Sequence, residues 1–525
     1  MNLIEHYFDG KKIIIPQHFN FAFDVLDVYA EQSPDQLALI WCNDKDEEKK
    51  FTFKEIADKS KQAAAYFQSK GIQRGDKILL SLRRRYEYWI FILALHRLGA
   101  LAIPCPSGLL KKDLIYRLQS ASPKLFIAFA TQHFMKEIQE ALDSFPQTEL
   151  AKITGQNEDY LKFSPQDFDL EKVKNQNNGK LPGGNEAMLA FFTSGTSSQP
   201  KLILHDFNYP LAHIVTAKCW LNNREGGIHF SLAESGWGKF SWGKIYGQWI
   251  CGSAVFAYDM EHITPVNLIK KVEKYRITSF CATPTIYRYL LNQKLEKYDL
   301  SSLEWVCSAG EYLGLELYNS FYEKTGIQIH EGFGQTETTL LVGNFAGNPI
   351  KAGSIGKPSP IYDFVILDSE NNVCPPEKTG ELCVKVNKNT IGISRFNHSE
   401  QEFIYHTGDL VYSDKDDYIW FVSRKDDIIK SSGYRISPFE VESILQKHPA
   451  VKECAVSGEF DEKRGQIVKA SVVLEENFKA SHEIELALFN FMRKETALYK
   501  VPRKIVFVET LPRTSNGKIQ RSKLR

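Results

Sequence analysis

Short apolar runs of strand character alternate with longer helical patterns along this chain, and that alternation constrains its fold more than any other feature. Lys77-Ile-Leu-Leu-Ser-Leu82 reads as a strand, Tyr86 to Leu98 as a buried helix, and Leu101-Ala-Ile-Pro104 as the next strand. Leu125-Phe-Ile-Ala-Phe129 and Ile277-Thr-Ser-Phe-Cys281 repeat the pattern beside further helical stretches. Strands met singly between helices imply an α/β architecture with largely parallel sheets. Lys172 to Asn185, rich in Asn, Gly and Lys, reads as a loop. The length of 525 residues suggests about three or four domains or subdomains. A chain of that size buries large cores without disulfide staples.

Lys plus Arg number 65 and Asp plus Glu 64, so the net charge is +1. That balance gives no support to a general nucleic-acid or membrane-surface binder. The charge is uneven, however. Residues 425–525 carry 19 Lys/Arg against 14 Asp/Glu, and residues 493–525 carry ten against two. Such a tail is either a solvated basic face or a site for a polyanionic ligand. The most apolar stretch, Tyr88 to Leu95, is far shorter than the ~20 residues a membrane span needs. Met1 to Phe23 has neither a signal-peptide core nor transit-peptide composition, so a soluble, cytoplasmic protein is expected. Nine scattered cysteines without a Cys-x-x-Cys pair read as buried thiols in a reducing compartment.

Five segments carry chemistry. Phe191-Phe-Thr-Ser-Gly-Thr-Ser-Ser-Gln-Pro-Lys201 sits between apolar runs, a strand–loop–strand pattern whose small hydroxyl residues and lysine suit phosphate groups. It is not a Walker loop, because Gly-x-x-x-x-Gly-Lys-Ser/Thr is absent. Glu331-Gly-Phe-Gly-Gln-Thr-Glu-Thr338 offers Glu337 as a ligand for a hard cation and Phe333 for stacking on a purine. Tyr405-His-Thr-Gly-Asp-Leu410 places an aspartate after a glycine turn, where it can accept two ribose hydroxyls. Ser423-Arg-Lys-Asp-Asp-Ile-Ile-Lys-Ser-Ser-Gly-Tyr-Arg435 is a charged run, and Leu511-Pro-Arg-Thr-Ser-Asn-Gly-Lys-Ile519 sets a lysine on a turn.

In this order, the five segments resemble the adenylate-forming superfamily of acyl- and aryl-CoA synthetases, adenylation domains and luciferases. Glu234-Ser-Gly-Trp-Gly-Lys239, Ala282-Thr-Pro-Thr-Ile-Tyr-Arg288, Ile436-Ser-Pro-Phe-Glu-Val-Glu442 and Gly517-Lys-Ile-Gln-Arg-Ser-Lys-Leu524 look closest to medium-chain acyl-CoA synthetases. The resemblance implies a large N-terminal AMP- and acyl-binding domain of layered α/β subdomains, residues 1–424. A small mobile α+β domain, residues 425–525, would follow. It implies ATP, Mg²⁺ and CoA as reactants and cofactor. A carboxylic acid would first become acyl-AMP with release of pyrophosphate, and CoA would then take the acyl group. The alternatives are an adenylation enzyme loading a carrier protein and a non-catalytic nucleotide or acyl-CoA sensor.

Carried over residue by residue, the resemblance assigns Thr193, Ser194, Gly195, Thr196, Ser197 and Lys201 to the ATP phosphates. Gly310 and Glu311 would line the adenine pocket, with Tyr312 where the family usually has proline. Glu331, Gly332, Phe333, Gly334, Gln335 and Thr336 would flank adenine and the α-phosphate, and Glu337 would bind Mg²⁺. Asp409 and Arg424 would hold the ribose, and Lys518 would bridge carboxylate and α-phosphate. Ser423 stands where glycine is common. Asp426 matches the hinge. Ser432, Gly433 and Tyr434 would line the pantetheine path, and Arg464, Arg493 and Arg503 would meet the CoA phosphates. Trp237, Gly334 and Arg435 would face the acid, Gly334 replacing the Trp that floors the pocket of acetate-specific relatives.

Overall fold

The computed structural model describes residues 3–129, 131–154, 158–193, 200–396, 402–432, 434–462, 464–513 and 518–525. Among these, the strands form four sheets. Lys77–Ser81, Leu101–Pro104, Leu125–Phe129 and Glu149–Ile153 run parallel in a six-stranded sheet. Ala187–Phe192 extends it in parallel, and Leu202–Asp206 closes it as an antiparallel edge. A nine-stranded sheet has six parallel members at its centre: Leu37–Asn43, Ala254–Asp259, Ile228–Ser231, Ser279–Ala282, Trp305–Ala309 and Ile329–Gly334. The expected parallel α/β architecture is therefore present, with antiparallel strands confined to the sheet edges.

The helix Glu87–Leu98 is buried at every position and lies in a core that draws on strands of both sheets. Its apolar side chains are each worth about 1.5–3 kcal/mol when fully buried. Its charged residues are partnered, whereas the Tyr88 hydroxyl and His96 Nδ1 are buried without a hydrogen-bond partner among the described residues. Arg97 makes a bidentate pair with Asp27 at 2.7 Å, and His96 Nε2 lies 2.9 Å from the Tyr246 hydroxyl. Burial on all sides is why this segment lacks a polar stripe.

The sequence and the structure differ over residues 172–185. The helix Leu170–Asn175 takes the first four of them, because the Asp169 carboxylate caps it by accepting the Lys172 N–H at 2.8 Å. The strand expected from Ile277 starts at Ser279.

A four-stranded antiparallel sheet follows, of Asp363–Leu367, Gly380–Val386, Phe403–Ser413 and Ile419–Arg424. It ends at Arg424, and after four intervening residues Ile429–Ser431 opens a five-stranded sheet. That last sheet, with the helices Pro438–Leu445 and His482–Glu495, has its own core around Ile436, Val441, Val456, Val472 and Leu488. Of the described helices, none is long and apolar enough to cross a membrane. Eight of the nine cysteines are buried free thiols, and the ninth, Cys219, is half-buried.

Candidate active site

The candidate residues gather where parallel strands of the nine-stranded sheet end, the usual place for ligands in such sheets. Gly310 and Glu311 follow Trp305–Ala309, and Gln335, Thr336 and Glu337 follow Ile329–Gly334. The first phosphate segment is flanked by the two expected strands, Ala187–Phe192 and Leu202–Asp206. Phe192 pairs with Leu202, and beyond that pair the Thr193 N–H donates to the Lys201 carbonyl at 2.9 Å. Ser194, Gly195, Thr196 and Ser197 lie outside the described residues.

Asp409 and Arg424 face each other across antiparallel strands. Arg424 Nη1 lies 2.9 Å from Asp409 Oδ2, and Gln335 Nε2 donates to the same oxygen at 2.6 Å. Gln335 also donates to the Thr407 carbonyl at 2.7 Å and accepts from the Tyr405 hydroxyl at 2.5 Å. Gln335 thus spans from one sheet to the next and positions the aspartate. Asp409 is only 2 % exposed, and that burial raises its pKa to about 6 against the pull of Arg424, Gln335 and Lys518.

Glu337 is half-buried, and burial raises its pKa. Three cations oppose that rise, Arg424, Lys518 and Lys201, so residues from three separate segments share one field. Lys518 as a residue is open to solvent, yet protein surrounds its ammonium. Burial lowers its pKa, while Asp409 and Glu311 work to raise it. The lysine of the last segment therefore stands within electrostatic reach of the aspartate, arginine and glutamates expected to hold the nucleotide.

Other expected residues play supporting parts in this arrangement. Glu331 is buried at 4 %, and its Oε1 accepts the Leu313 N–H at 2.9 Å. Burial raises its pKa to about 8. It ties the loop after Gly310 to the neighbouring strand. Glu311 accepts from Thr285 Oγ1 at 3.0 Å. Gly332 lies against Trp220, whose ring stands 2.5 Å from where a Cβ would be. Phe333 is half-buried beside Phe421, with ring centroids 6.3 Å apart. Tyr312 stacks on Phe421 at 6.2 Å, and Phe439 meets Phe421 at 5.3 Å and Tyr312 at 6.4 Å.

Gly334 requires a correction. The volume it leaves does not open the pocket, because a Cβ there would lie 2.3 Å from the Trp242 ring and 2.3 Å from the Thr339 carbonyl. An indole does fill this place, but it comes from the helix Gly238–Gly243 and not from position 334. Trp237, half-buried, caps the start of that helix, and Gly238 packs close to Thr336. Two residues of this region escaped the sequence reading. His205 Nε2 donates to the Thr336 carbonyl at 2.8 Å, and Trp242 replaces the expected opening. Only the Trp-Gly-Lys string after Ser241 hinted at the second, and nothing local hinted at the first.

Asp426 is exposed in the link between the last two sheets. Its carbonyl accepts from Arg525 at 2.9 Å, and the Lys425 N–H donates to the Gly408 carbonyl at 2.8 Å. Ser432 and Arg464 are brought together, Arg464 Nη1 donating to Ser432 Oγ at 3.2 Å. Tyr434 is exposed and stacks on Tyr499 at 4.2 Å. Arg493 is exposed in the last turn of its helix, and Arg503 is exposed before the strand Lys504–Phe507. Gly433 lies outside the described residues, and Arg435 is described only as part of the strand Tyr434–Ile436.

Residues 26–393 match the model of the AMP-binding enzyme family, and residues 440–518 match that of the AMP-binding enzyme C-terminal domain. The chain is 36 % identical to human acyl-coenzyme A synthetase ACSM3, mitochondrial, over 98 % of this chain and 90 % of that one. It is 36 % identical to rat acyl-coenzyme A synthetase ACSM5, mitochondrial, over 97 % and 91 %. Among solved structures, the anthranilate CoA ligase AuaEII in complex with anthranoyl-AMP superposes with a TM-score of 0.83 at 27 % identity, covering 97 % of each chain. The Brucella canis acyl-CoA synthetase superposes at 0.69 with 28 % identity, covering 100 % of this chain and 96 % of that one.

Proposed function

The chain belongs to the AMP-binding enzyme family, and from that membership we propose that it is an ATP-dependent acyl-CoA synthetase for medium-chain fatty, branched or aromatic acids. The observation that carries this reading is the shared field of Glu337, Arg424, Lys518 and Lys201 beside Asp409. A carboxylate is a poor electrophile. Its oxygen attacks the α-phosphorus of ATP, the bond to pyrophosphate breaks, and an acyl-AMP forms. The CoA thiol then attacks the acyl carbon, the bond to AMP breaks, and the thiol proton leaves to solvent.

The first step brings two anions together, so positioning and charge neutralisation carry it. Lys518 bridges the carboxylate and the α-phosphate, and Lys201 and Thr193 hold the outer phosphates. Asp409 receives the ribose hydroxyls with Arg424 beside it, and Phe333 and the Gly310–Glu311 loop flank adenine. Glu337 suits Mg²⁺: it is a hard carboxylate donor at a site ringed by phosphate-binding cations, and Mg²⁺ sites use one or two carboxylates plus substrate phosphates. When bound there, the ion neutralises phosphate charge. Trp242 and Trp237 wall the acid. Ser432, Tyr434 and the basic residues Arg464, Arg493 and Arg503 receive CoA.

We place the domain boundary between residues 424 and 425 and the pivot at Asp426, supported by the exposed link between two separate cores. We place the protein in the cytoplasm, supported by its free buried thiols; the relatives named above are mitochondrial proteins. The test is acid-dependent ATP–pyrophosphate exchange, followed by thioester formation with free CoA or with a phosphopantetheinyl protein. Exchange without any acid dependence would overturn the reading. A preference for the carrier protein would move the acceptor.

A further inference from the structure

Glu381, Cys383 and His406 take no part in the chemistry above, yet their donor atoms converge on one point. The first two lie on the strand Gly380–Val386, and Cys383 pairs across to His406 on Phe403–Ser413, with an irregularity in the ladder between 381 and 383. His406 Nδ1 is 3.3 Å from Glu381 Oε2 and 3.4 Å from Cys383 Sγ. Nitrogen, oxygen and sulfur ligands held at 2.0–2.3 Å by a tetrahedral zinc ion stand roughly 3.3–3.6 Å apart. The two distances from His406 already match that spacing, and all three donor atoms lie within 4.8 Å of one another.

The surroundings suit a metal as well. Glu381 and Cys383 are buried, while 46 % of the His406 side chain is exposed, which leaves a way in from solvent and room for water as a fourth ligand. The second carboxylate oxygen, Oε1, accepts the Gly408 N–H at 3.0 Å, the outer contact that orients a ligating carboxylate. One occupant must yield. Lys425 Nζ lies 3.0 Å from Glu381 Oε2, on the oxygen the metal needs.

We propose that Glu381, Cys383 and His406 form a binding site for a zinc-class divalent cation, whose arrival expels Lys425 from Glu381. The thiol loses its proton to solvent as the metal–sulfur bond forms. A thiolate and an imidazole select zinc-class ions over Mg²⁺, which keeps the site distinct from Glu337. The assignment does not rest on the catalytic reading.

Cobalt(II) added to the full chain tests it. The expected result is a near-ultraviolet sulfur-to-cobalt charge-transfer band that zinc abolishes and Mg²⁺ does not. Cys383→Ser removes the band. His406→Ala, at an exposed position that spares the core, weakens cobalt binding at least ~10-fold. Lys425→Gln tightens it by removing the competing ammonium. Absence of the band, or its persistence unchanged in Cys383→Ser, overturns the site. Unchanged affinity in Lys425→Gln overturns the expulsion of the lysine.

Discussion

At the scale of single residues, the chemistry turns on charges held where water alone would not hold them. Lys518→Ala removes the cation proposed to bridge the carboxylate and the α-phosphate. The expected outcome is an adenylation rate at least ~100-fold lower, with thioester formation from supplied acyl-adenylate largely kept. Measuring the two half-reactions separately checks it, and an equal fall in both would remove the lysine from its assigned role. Asp409 sets a pH dependence. Its carboxyl titrates at about 6 in the folded chain and at an ordinary 3.8 when exposed. The folded state therefore holds this proton more tightly, and the stability from that is complete below pH 3.8 and lost as pH rises through about 6. With the carboxylate as the proposed ribose acceptor, affinity for ATP should fall as pH drops through about 6, read by titrating a nucleotide at fixed ionic strength. Trp242→Ala tests the acyl wall. Relative kcat/KM for decanoate over butyrate should rise at least ~10-fold, since each methylene in an apolar pocket discriminates by about 1–3 kcal/mol. The unliganded variant should lose about 3–5 kcal/mol of stability, measured by denaturant unfolding. Gly334→Trp, by contrast, has no room: its side chain would meet the Thr339 carbonyl and Trp242, and loss of ATP binding is expected in place of a switch to short acids.

At the scale of elements, the proposed pivot lies in the link that follows the strand Ile419–Arg424. Asp426→Pro fixes φ near roughly −65° in that link. Pyrophosphate exchange should persist while overall CoA thioester formation is largely lost. Normal turnover in this variant would put the pivot elsewhere. The aromatic cluster makes a second expectation. Phe439, on the helix Pro438–Leu445, touches Tyr312 and Phe421 and lies under the Arg521 guanidinium at 4.1 Å. Phe439→Ala should weaken this docking and lower adenylation more than acyl transfer from supplied adenylate. What could be read from the sequence at this scale follows from locality. The strands around the phosphate segment and the helix Glu87–Leu98 announce themselves, because an apolar run and its flanking turns lie within a dozen residues. The floor at Gly334 did not, because Trp242 arrives there only through tertiary packing. The same holds for His205 under Thr336 and for Gln335 reaching Asp409: each hydrogen bond joins distant segments that no period or motif relates.

At the scale of the whole molecule, the large N-terminal part and the last sheet have separate cores and unequal charge. The segment beyond residue 424 carries a surplus of five positive charges, and the remainder is four negative. The halves attract over short range and invite a polyanion between them, an effect that salt screens beyond about 8–10 Å. The five ordered segments were legible from the sequence because each keeps its chemistry within a few residues; the orientation of the halves was not. That orientation is set by contacts such as Phe439 against Tyr312, between residues more than a hundred positions apart. Asp409 and Arg424 are cross-strand partners, and Arg424 is the last residue before the exposed link. On the function proposed above, the pivot therefore adjoins the residue that would grip the nucleotide. A lever mounted on its own workpiece needs no separate alignment: on that proposal, a displacement of Asp409 would pass through Arg424 to the base of the link, and Lys518 would inherit the same offset. Reach is thereby traded for tolerance. Lengthening the stretch between Arg424 and Asp426 by even one residue would leave every binding group intact and still spoil the register between gripped nucleotide and arriving cation.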